Sequence, residues 1–213
     1  MVDDYLTDED VMNMIQNTVI EPPDWGATWP SGLWDRDEVL NYLNDRQNQF
    51  LKQTALQFGI AKITAVTGTY IYDLPDDWIN TIRVLWITAD GATRELTRSD
   101  TWEADHGMPS WSYIEAPPKI FFDGGTPATL RIMPIPGTDG TIQVHYVPMA
   151  ALLTGDGEGF TVPTEFVHFI RYGALADMFS KIGRAQDGGR ADYCAKRFQM
   201  GAEVAQLLVK GFA

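Results

Sequence analysis

Cysteine is nearly absent from this sequence, and its scarcity removes several classes of protein at once. The 213 residues include one cysteine, Cys194, and three histidines. A single cysteine forms neither a disulfide framework nor a cysteine-based metal site. His106, His145 and His168 lie far apart and show no metal-ligand spacing. We therefore expect no metal, no cofactor and a reducing compartment, with Cys194 buried as a small residue of a helix.

Basic residues are also scarce. Lys and Arg number 16 against 29 Asp and Glu, which gives a net charge of −13. This composition argues against a general DNA-binding surface, because affinity for phosphate needs clustered cations. The acidity serves solubility, or it forms a surface that nucleic acid slides past without binding. Segment 184–213 differs, with five bases and three acids, which indicates either a separate partner surface or a solvated helix face.

Long apolar runs and catalytic motifs are missing as well. No run approaches the roughly 18 apolar residues of a membrane span, and residues 1–6 lack the basic stretch of a signal peptide. The patterns GxGxxG, GxxxxGK[ST] and GxSxG do not occur. The pairs Asp76/Asp77 and Glu103/Asp105 are better explained as turn and cap residues than as glycosidase carboxylates. The sequence therefore predicts a protein that is not an enzyme.

Helical periodicity is confined to the two ends of the chain. It predicts helices over 7–20, 35–59, 163–183 and 189–210. The apolar stripes of the last three helices are expected to include several residues near the helix ends: Phe58, Ile182, Leu208 and Val209.

The predicted helix ends carry familiar cap residues. Thr7–Asp10 and Asp35–Glu38 have the pattern of a capping box, and Pro163 suits the first helical position. Gly59 and Gly183 suit the positions just after a helix.

Between the helices the pattern alternates with a period of two, which is typical of strands. We expect strands over 67–148, including a hairpin of Thr81–Thr88 with Thr93–Thr97 and another of Trp111–Ile114 with Lys119–Phe122. Trp102, in a short helical stretch, is expected to point inward. Several short strands at this spacing predict a β-sandwich or a partly open barrel.

Together these patterns predict an α+β fold. The N- and C-terminal helices should form one helical module, with an antiparallel β-sandwich or barrel-like domain inserted between them. The expected boundaries are 1–62 for the N-terminal helices, 63–159 for the β domain and 160–213 for the C-terminal helix pair.

Three tryptophans, Trp25, Trp29 and Trp34, lie in or beside a loop rich in proline and glycine. Rings this large need burial, and tryptophan is enriched at interface anchors. They either fold back on their own chain or contact a neighbouring subunit, so we treat them as candidates for a subunit interface.

Three short motifs accompany this order of elements. They are Leu-Pro-Asp-Asp-Trp at 74–78, Gly-Met-Pro at 107–109 and Met-Pro-Ile-Pro at 133–136. With the helix pair after residue 162, they make nearly the whole chain resemble the head-to-tail adaptor, or head-completion, proteins of tailed phages, especially short-tailed ones.

The resemblance implies a structural virion protein of the neck between head and tail, assembled in the host cytoplasm and without a membrane. By this resemblance we expect a ring, usually a homododecamer in such adaptors, that binds beneath the portal protein. The ring extends the DNA channel and offers a docking surface to a tail nozzle or tube protein. DNA passes through the lumen without sequence-specific binding.

For this chain, the resemblance makes the C-terminal segment a candidate for docking on the portal ring. The candidate portal contacts are Arg197, Lys210 and Phe212. A stripe of small residues on the same segment should let another helix approach closely: Ala191, Ala195, Ala202 and Ala205.

An alternative function also fits a β-sandwich. Exposed aromatic rings on such a sheet bind sugars, so the chain could be a carbohydrate-binding module of a tail or surface protein. The candidate rings are Trp78, Trp86, Trp102 and Trp111.

Overall fold

The structure is a computed structural model, and it describes residues 6–19, 29, 33–107, 113–124, 127–184 and 186–211. The chain divides into two compact units. One consists of Met1–Gln57 with Met149–Ala213, and the other is Phe58–Pro148. The N-terminal and C-terminal segments thus build one helical unit, the segment between them in the sequence forms the β unit, and the predicted α+β fold class is confirmed.

The described residues form five helices. They are α1 (Asp8–Val19), α2 (Arg36–Thr54), α3 (Thr101–Gly107), α4 (Thr164–Ser180) and α5 (Gly188–Gly211). All but α3 belong to the helical unit.

The first helix begins with the capping box that its sequence predicts. The Asp10 backbone N–H donates to Thr7 Oγ1 over 3.2 Å, and the Thr7 backbone N–H donates to Asp10 Oδ2 over 3.0 Å. These reciprocal bonds satisfy donors that the first turn otherwise leaves unpaired. The same bonds from Thr7 lower the pKa of Asp10.

The second predicted capping box is wrong. Asp35 is the N-cap residue of α2, but its side chain makes no capping hydrogen bond. The Glu38 carboxylate instead accepts from Lys181 Nζ at 2.5 Å and from the Tyr42 hydroxyl at 2.8 Å. The bond from Lys181 lowers the pKa of Glu38, while burial and Glu38 raise the pKa of Tyr42 to about 12.

Helix α2 also ends earlier than predicted. It stops at Thr54, because Ala55 adopts a left-handed conformation with φ 50° and donates its N–H to Leu51 O. Phe58 therefore lies outside the helix and is exposed. Gly59 is needed for strand pairing instead, since a Cβ there would lie 2.9 Å from the Tyr146 ring.

Phe50 of α2 joins three helices in the core of the helical unit. Its ring is fully buried, 5.6 Å from the Phe166 ring of α4 and 6.0 Å from the Phe198 ring of α5. Aromatic pairs at these distances add to the energy of burial. The predicted inner stripes of these helices are therefore the packed faces.

Two residues that were predicted at the ends of buried apolar stripes are exposed instead. Ile182 lies beyond the end of α4 and is 90% exposed, and Leu208 of α5 is also exposed. Pro163 is the N-cap residue of α4 and not its first helical residue. Ile182 is exposed because α4 ends two residues earlier, at Ser180, and Leu208 is exposed because the buried face of α5 ends at Ala205.

The described residues of the β unit form seven strands in one barrel-like sheet. They are β1 (Gly59–Ala65), β2 (Ile71–Asp73), β3 (Trp78–Thr88), β4 (Thr93–Arg98), β5 (Ile120–Gly124), β6 (Thr129–Met133) and β7 (Gly140–Pro148). The order is β1-β7-β3-β4-β5-β6-β2. The β4–β5 pair is parallel and the other pairs are antiparallel.

A main apolar core, apart from a small cluster of Phe122 and Met133, lies within the β unit, and every strand contributes to it. Its buried residues on the strands are Ala65, Tyr72, Val84, Trp86, Leu96, Phe121, Leu130, Ile132, Ile142, Val144 and Tyr146. One shared core for all seven strands is typical of a sheet that curls on itself and not of two separate layers.

The β3–β4 hairpin is confirmed, but three other expectations for this unit are wrong. Strand β1 precedes the predicted start at Thr67, and Ile120–Gly124 pairs with β4 and β6 instead of with Trp111–Ile114. Residues 113–114 are not in a strand, and 111–112 lie outside the described residues. Trp102 is 71% exposed, because the short α3 leaves its ring against His106, 4.2 Å away, and not against the core.

Candidate functional site

The tryptophan group predicted from the loop is only partly within the described residues. Trp34 is buried in the helical unit, where its Nε1 donates to Met178 O over 3.0 Å and its ring meets Phe179 edge-on at 6.3 Å. Trp29 Nε1 donates to Trp34 O over 3.1 Å. Trp25 lies outside the described residues. Trp34 thus packs on its own chain, and a subunit contact by these tryptophans stays a prediction.

The inner face of α5 uses small residues to approach α4. Ala191, Ala202 and Ala205 are buried, whereas Ala195 is exposed. A Cβ on Gly201 would lie 2.2 Å from Phe169 Cγ, so this close contact requires glycine. The small-residue stripe is therefore occupied largely within the chain, by α4.

The outer face of α5 carries a second apolar row, which the sequence analysis missed. Tyr193, Met200, Val204 and Leu207 are between 42% and 70% exposed. Their spacing of seven, four and three residues places them on one side of the helix, opposite the buried face. We call these four residues the α5 strip. The signal was present in the sequence, but the more regular Ala-Cys-Phe stripe of the inner face obscured it.

The residues predicted to contact the portal lie at different positions along α5. Arg197 borders the strip, where its Nε donates to the Tyr193 hydroxyl over 3.0 Å and its guanidinium lies 5.3 Å from the Tyr193 ring centroid. Lys210 is exposed in the last turn of α5. Phe212 lies outside the described residues. At 1.5 Å per residue, Arg197 and Lys210 are about 20 Å apart along the helix.

Charged groups flank the α5 strip along one edge. Asp192, Lys196, Glu203 and Lys210 are all exposed, and helical geometry places them on the same side of the strip. Two acids and two bases alternate there, so this edge offers both signs of charge to whatever covers the strip.

A groove of about 400 Å³ opens at the start of α5, between α1 and α4. It is lined by Thr18, Val19, Leu175, Phe179, Arg190 and Cys194, among others. Burial raises the pKa of the Cys194 thiol, which keeps it protonated and unreactive at neutral pH. The groove is thus suited to an apolar side chain, and the Cys194 thiol is not activated as a nucleophile there.

A polar cluster ties α1 to the loop before α4. The fully buried Asp8 accepts from the backbone N–H groups of Gly155 and Gly157, over 2.7 and 3.0 Å. Glu158 accepts from the Thr154 hydroxyl over 2.5 Å, and this bond is the main reason that its pKa falls to about 2. The backbone donors to Asp8 and the Thr154 hydroxyl therefore hold this acidic loop in place.

The described residues show no grouping with the geometry of a catalytic or metal centre. Nowhere in them do three or more His, Cys, Asp or Glu side chains meet where they could hold a metal ion. Asp77 accepts from the Tyr146 hydroxyl at 3.0 Å, which is a structural role. Burial is the main cause of the lowered pKa of both His145 and His168.

The aromatic rings proposed for sugar binding do not form one exposed face. Trp86 is buried in the barrel core, and Trp78 packs against that core with its Nε1 bonded to Thr81. Trp111 lies outside the described residues, which leaves the exposed Trp102. No helix within the described ranges is long and apolar enough to cross a lipid bilayer.

A comparison with family models gives one match that covers nearly the whole chain. The family described as SU10 adaptor protein matches residues 9–209. The match includes the helical unit and the β unit, from the first turn of α1 to the last turn of α5. A comparison with curated proteins gives no significant match.

Proposed function

The chain belongs to the SU10 adaptor protein family, and we propose that it acts as a ring-forming head-to-tail adaptor beneath the portal of a short-tailed phage. Membership confirms the resemblance to phage adaptors that the sequence indicated, and a phage adaptor is a structural protein of virion and tail assembly. The ring, the portal and the short-tailed type are the parts that we propose.

The observation that carries the proposal is the two-faced α5. Its inner face completes the helical core, while the α5 strip leaves four large apolar side chains in solvent. Exposed apolar rows of this kind, bordered by charges, mark interaction surfaces. They lie in the C-terminal segment 184–213, which has five bases and three acids. We propose that this segment meets the portal ring, with Lys210 at the contact.

The acidity of the chain supports its place around a DNA channel. In a homododecamer of subunits with net charge −13, the wall of the lumen repels phosphate, so DNA passes without binding. The opposite end of the ring would receive a tail nozzle or tube protein. The tryptophans Trp25 and Trp29 remain our candidates for contacts between neighbouring subunits.

Deleting Lys210–Ala213 tests the portal contact. The buried residues of α5 end at Ala205, so the deletion should leave the melting temperature within about 1 °C while weakening binding to purified portal rings at least tenfold. Binding is measured by mass photometry, and electron microscopy counts the adaptors per ring. Normal binding by the deleted chain would contradict the proposed contact.

A charge variant separates the local contact from a general effect. Lys210→Glu should weaken portal binding, whereas Lys52→Glu, at an exposed lysine near the end of α2, should not. If neither the intact chain nor any variant binds portal rings, the proposed function itself is wrong.

A further inference from the structure

We infer that, before it meets the portal, the protein pairs with a second copy of itself through antiparallel contact of two α5 strips. The strip extends over the 15 residues from Tyr193 to Leu207, a length of about 21 Å. Burying it removes large apolar side chains from water, which is the main driving force for such contacts. This inference concerns the free protein and stands apart from the ring, in which the copies meet in another way.

The strip is complementary to itself when two copies run antiparallel about Met200. A twofold axis at Met200 brings Tyr193 opposite Leu207 of the other copy and Met200 opposite its own equivalent. Apolar side chains then meet apolar side chains along the whole contact. A parallel pairing would instead place the two charged edges on opposite sides of the contact, where their charges cannot pair with each other.

The charged edge of the strip supports the antiparallel order. On that edge, Lys196 comes opposite Glu203 of the second copy, and Asp192 comes opposite Lys210. The twofold axis repeats both pairs, so four contacts of opposite charge flank the apolar row. All four residues are exposed in the single chain, and complementary edge charges set partner and orientation in paired helices.

The pairing should be weak and reversible. One helix face on each side buries less than the roughly 1,200 Å² of a stable interface, so we expect a dissociation constant in the micromolar range. Higher salt should weaken it several-fold by screening the edge charges. The same contact covers Lys210, so the portal ring must displace the second copy. This last point rests on the proposed function.

A charge exchange tests the contact most directly. Lys196→Glu and Glu203→Lys should each weaken the dimer at least tenfold in sedimentation equilibrium, because each puts like charges opposite one another. The double variant should restore it to within about threefold. Val204→Asp should abolish it. Lys52→Glu, at an exposed lysine of α2, is the control for a change of charge away from the strip and should dimerise normally.

Cross-linking tests the order of the helices. With Cys194→Ala to remove the natural thiol, Met200→Cys should give a disulfide-linked dimer on mild oxidation, whereas Gln199→Cys should give little. A wild-type chain that stays monomeric at about 0.5 mM would overturn the inference. A dimer unaffected by Val204→Asp and by both charge reversals would also overturn it.

Portal rings distinguish this inference from the proposed function. Adding them should dissociate the dimer and place single copies on the ring. Dimers that form but never bind portal rings would leave the pairing in place and refute the function. Intact dimers seated on the ring would support the function and refute the idea that pairing covers the portal surface.

Discussion

The buried carboxylate of Asp8 fixes the start of α1 to the loop before α4. It accepts from the backbone N–H groups of Gly155 and Gly157. Asp8→Ala leaves both donors without this partner, and we expect a loss of about 3 kcal/mol in the free energy of unfolding. Urea titration measures it. The exposed neighbour Glu9 is the control, since Glu9→Ala should change stability by less than about 0.5 kcal/mol.

Glu158 should make stability depend on pH in the acid range. Hydrogen bonds led by that from Thr154 lower its pKa to about 2 from an ordinary 4.5. The folded state therefore favours the carboxylate, and its contribution is present above pH 4.5 and lost as the pH falls towards 2. Glu158→Gln should flatten the fall in unfolding free energy across this window. An equal slope in variant and wild type would contradict this cause.

At the scale of the elements, Gly201 sets the distance between α4 and α5. Glycine inside a helix normally costs about 1 kcal/mol relative to alanine, so Gly→Ala usually stabilises. At Gly201 the added Cβ would lie 2.2 Å from Phe169 Cγ. We expect Gly201→Ala to destabilise by about 2 kcal/mol, because the helices must move apart. Thermal and urea unfolding measure the change.

The same substitution at Gly189 is a matched control in the same helix. A Cβ there would lie 3.6 Å from Asp187 Oδ1, which is ordinary contact. Gly189→Ala should therefore be neutral or slightly stabilising. Opposite signs for the two variants would assign the effect to the contact with Phe169, and equal signs would refute it.

Elements with a strong local signal were predictable from the sequence. The capping box of Thr7 and Asp10 and the β3–β4 hairpin depend on neighbouring residues, so their patterns suffice. Strand β1 was missed because Gly59 serves a long-range contact with Tyr146, which no local pattern records. Trp102 was misplaced for a related reason, since a ring points inward only if tertiary packing covers it.

The candidate site was less predictable than the fold. The charge of the C-terminal segment, which holds the α5 strip, predicted a partner surface there. The sequence pattern does not show which of the two apolar faces of α5 is buried, because that depends on which face α4 covers. Likewise, Trp34 as an isolated residue fits a core or an interface equally well, and only its bond to Met178 O decides for the core.

For the whole molecule, the balance of charge predicts the response to DNA. With net charge −13 and an isoelectric point near 4.5, the chain repels phosphate at neutral pH. Non-specific DNA-binding proteins reach dissociation constants of about 10⁻⁴ to 10⁻⁶ M at physiological salt. We expect no binding of a short duplex at about 100 μM protein and ~150 mM salt, as measured by fluorescence anisotropy.

A salt titration and a double charge variant test whether the protein contacts DNA phosphates directly. An anisotropy rise that falls linearly with the logarithm of salt concentration would reveal direct phosphate contacts and contradict it. The basic segment 184–213 is the place to test for such contacts, since its five bases outnumber its three acids. Lys196→Glu with Lys210→Glu should then reduce the binding. The absence of a rise in the wild type would support the proposed passage of DNA past an acidic surface without capture.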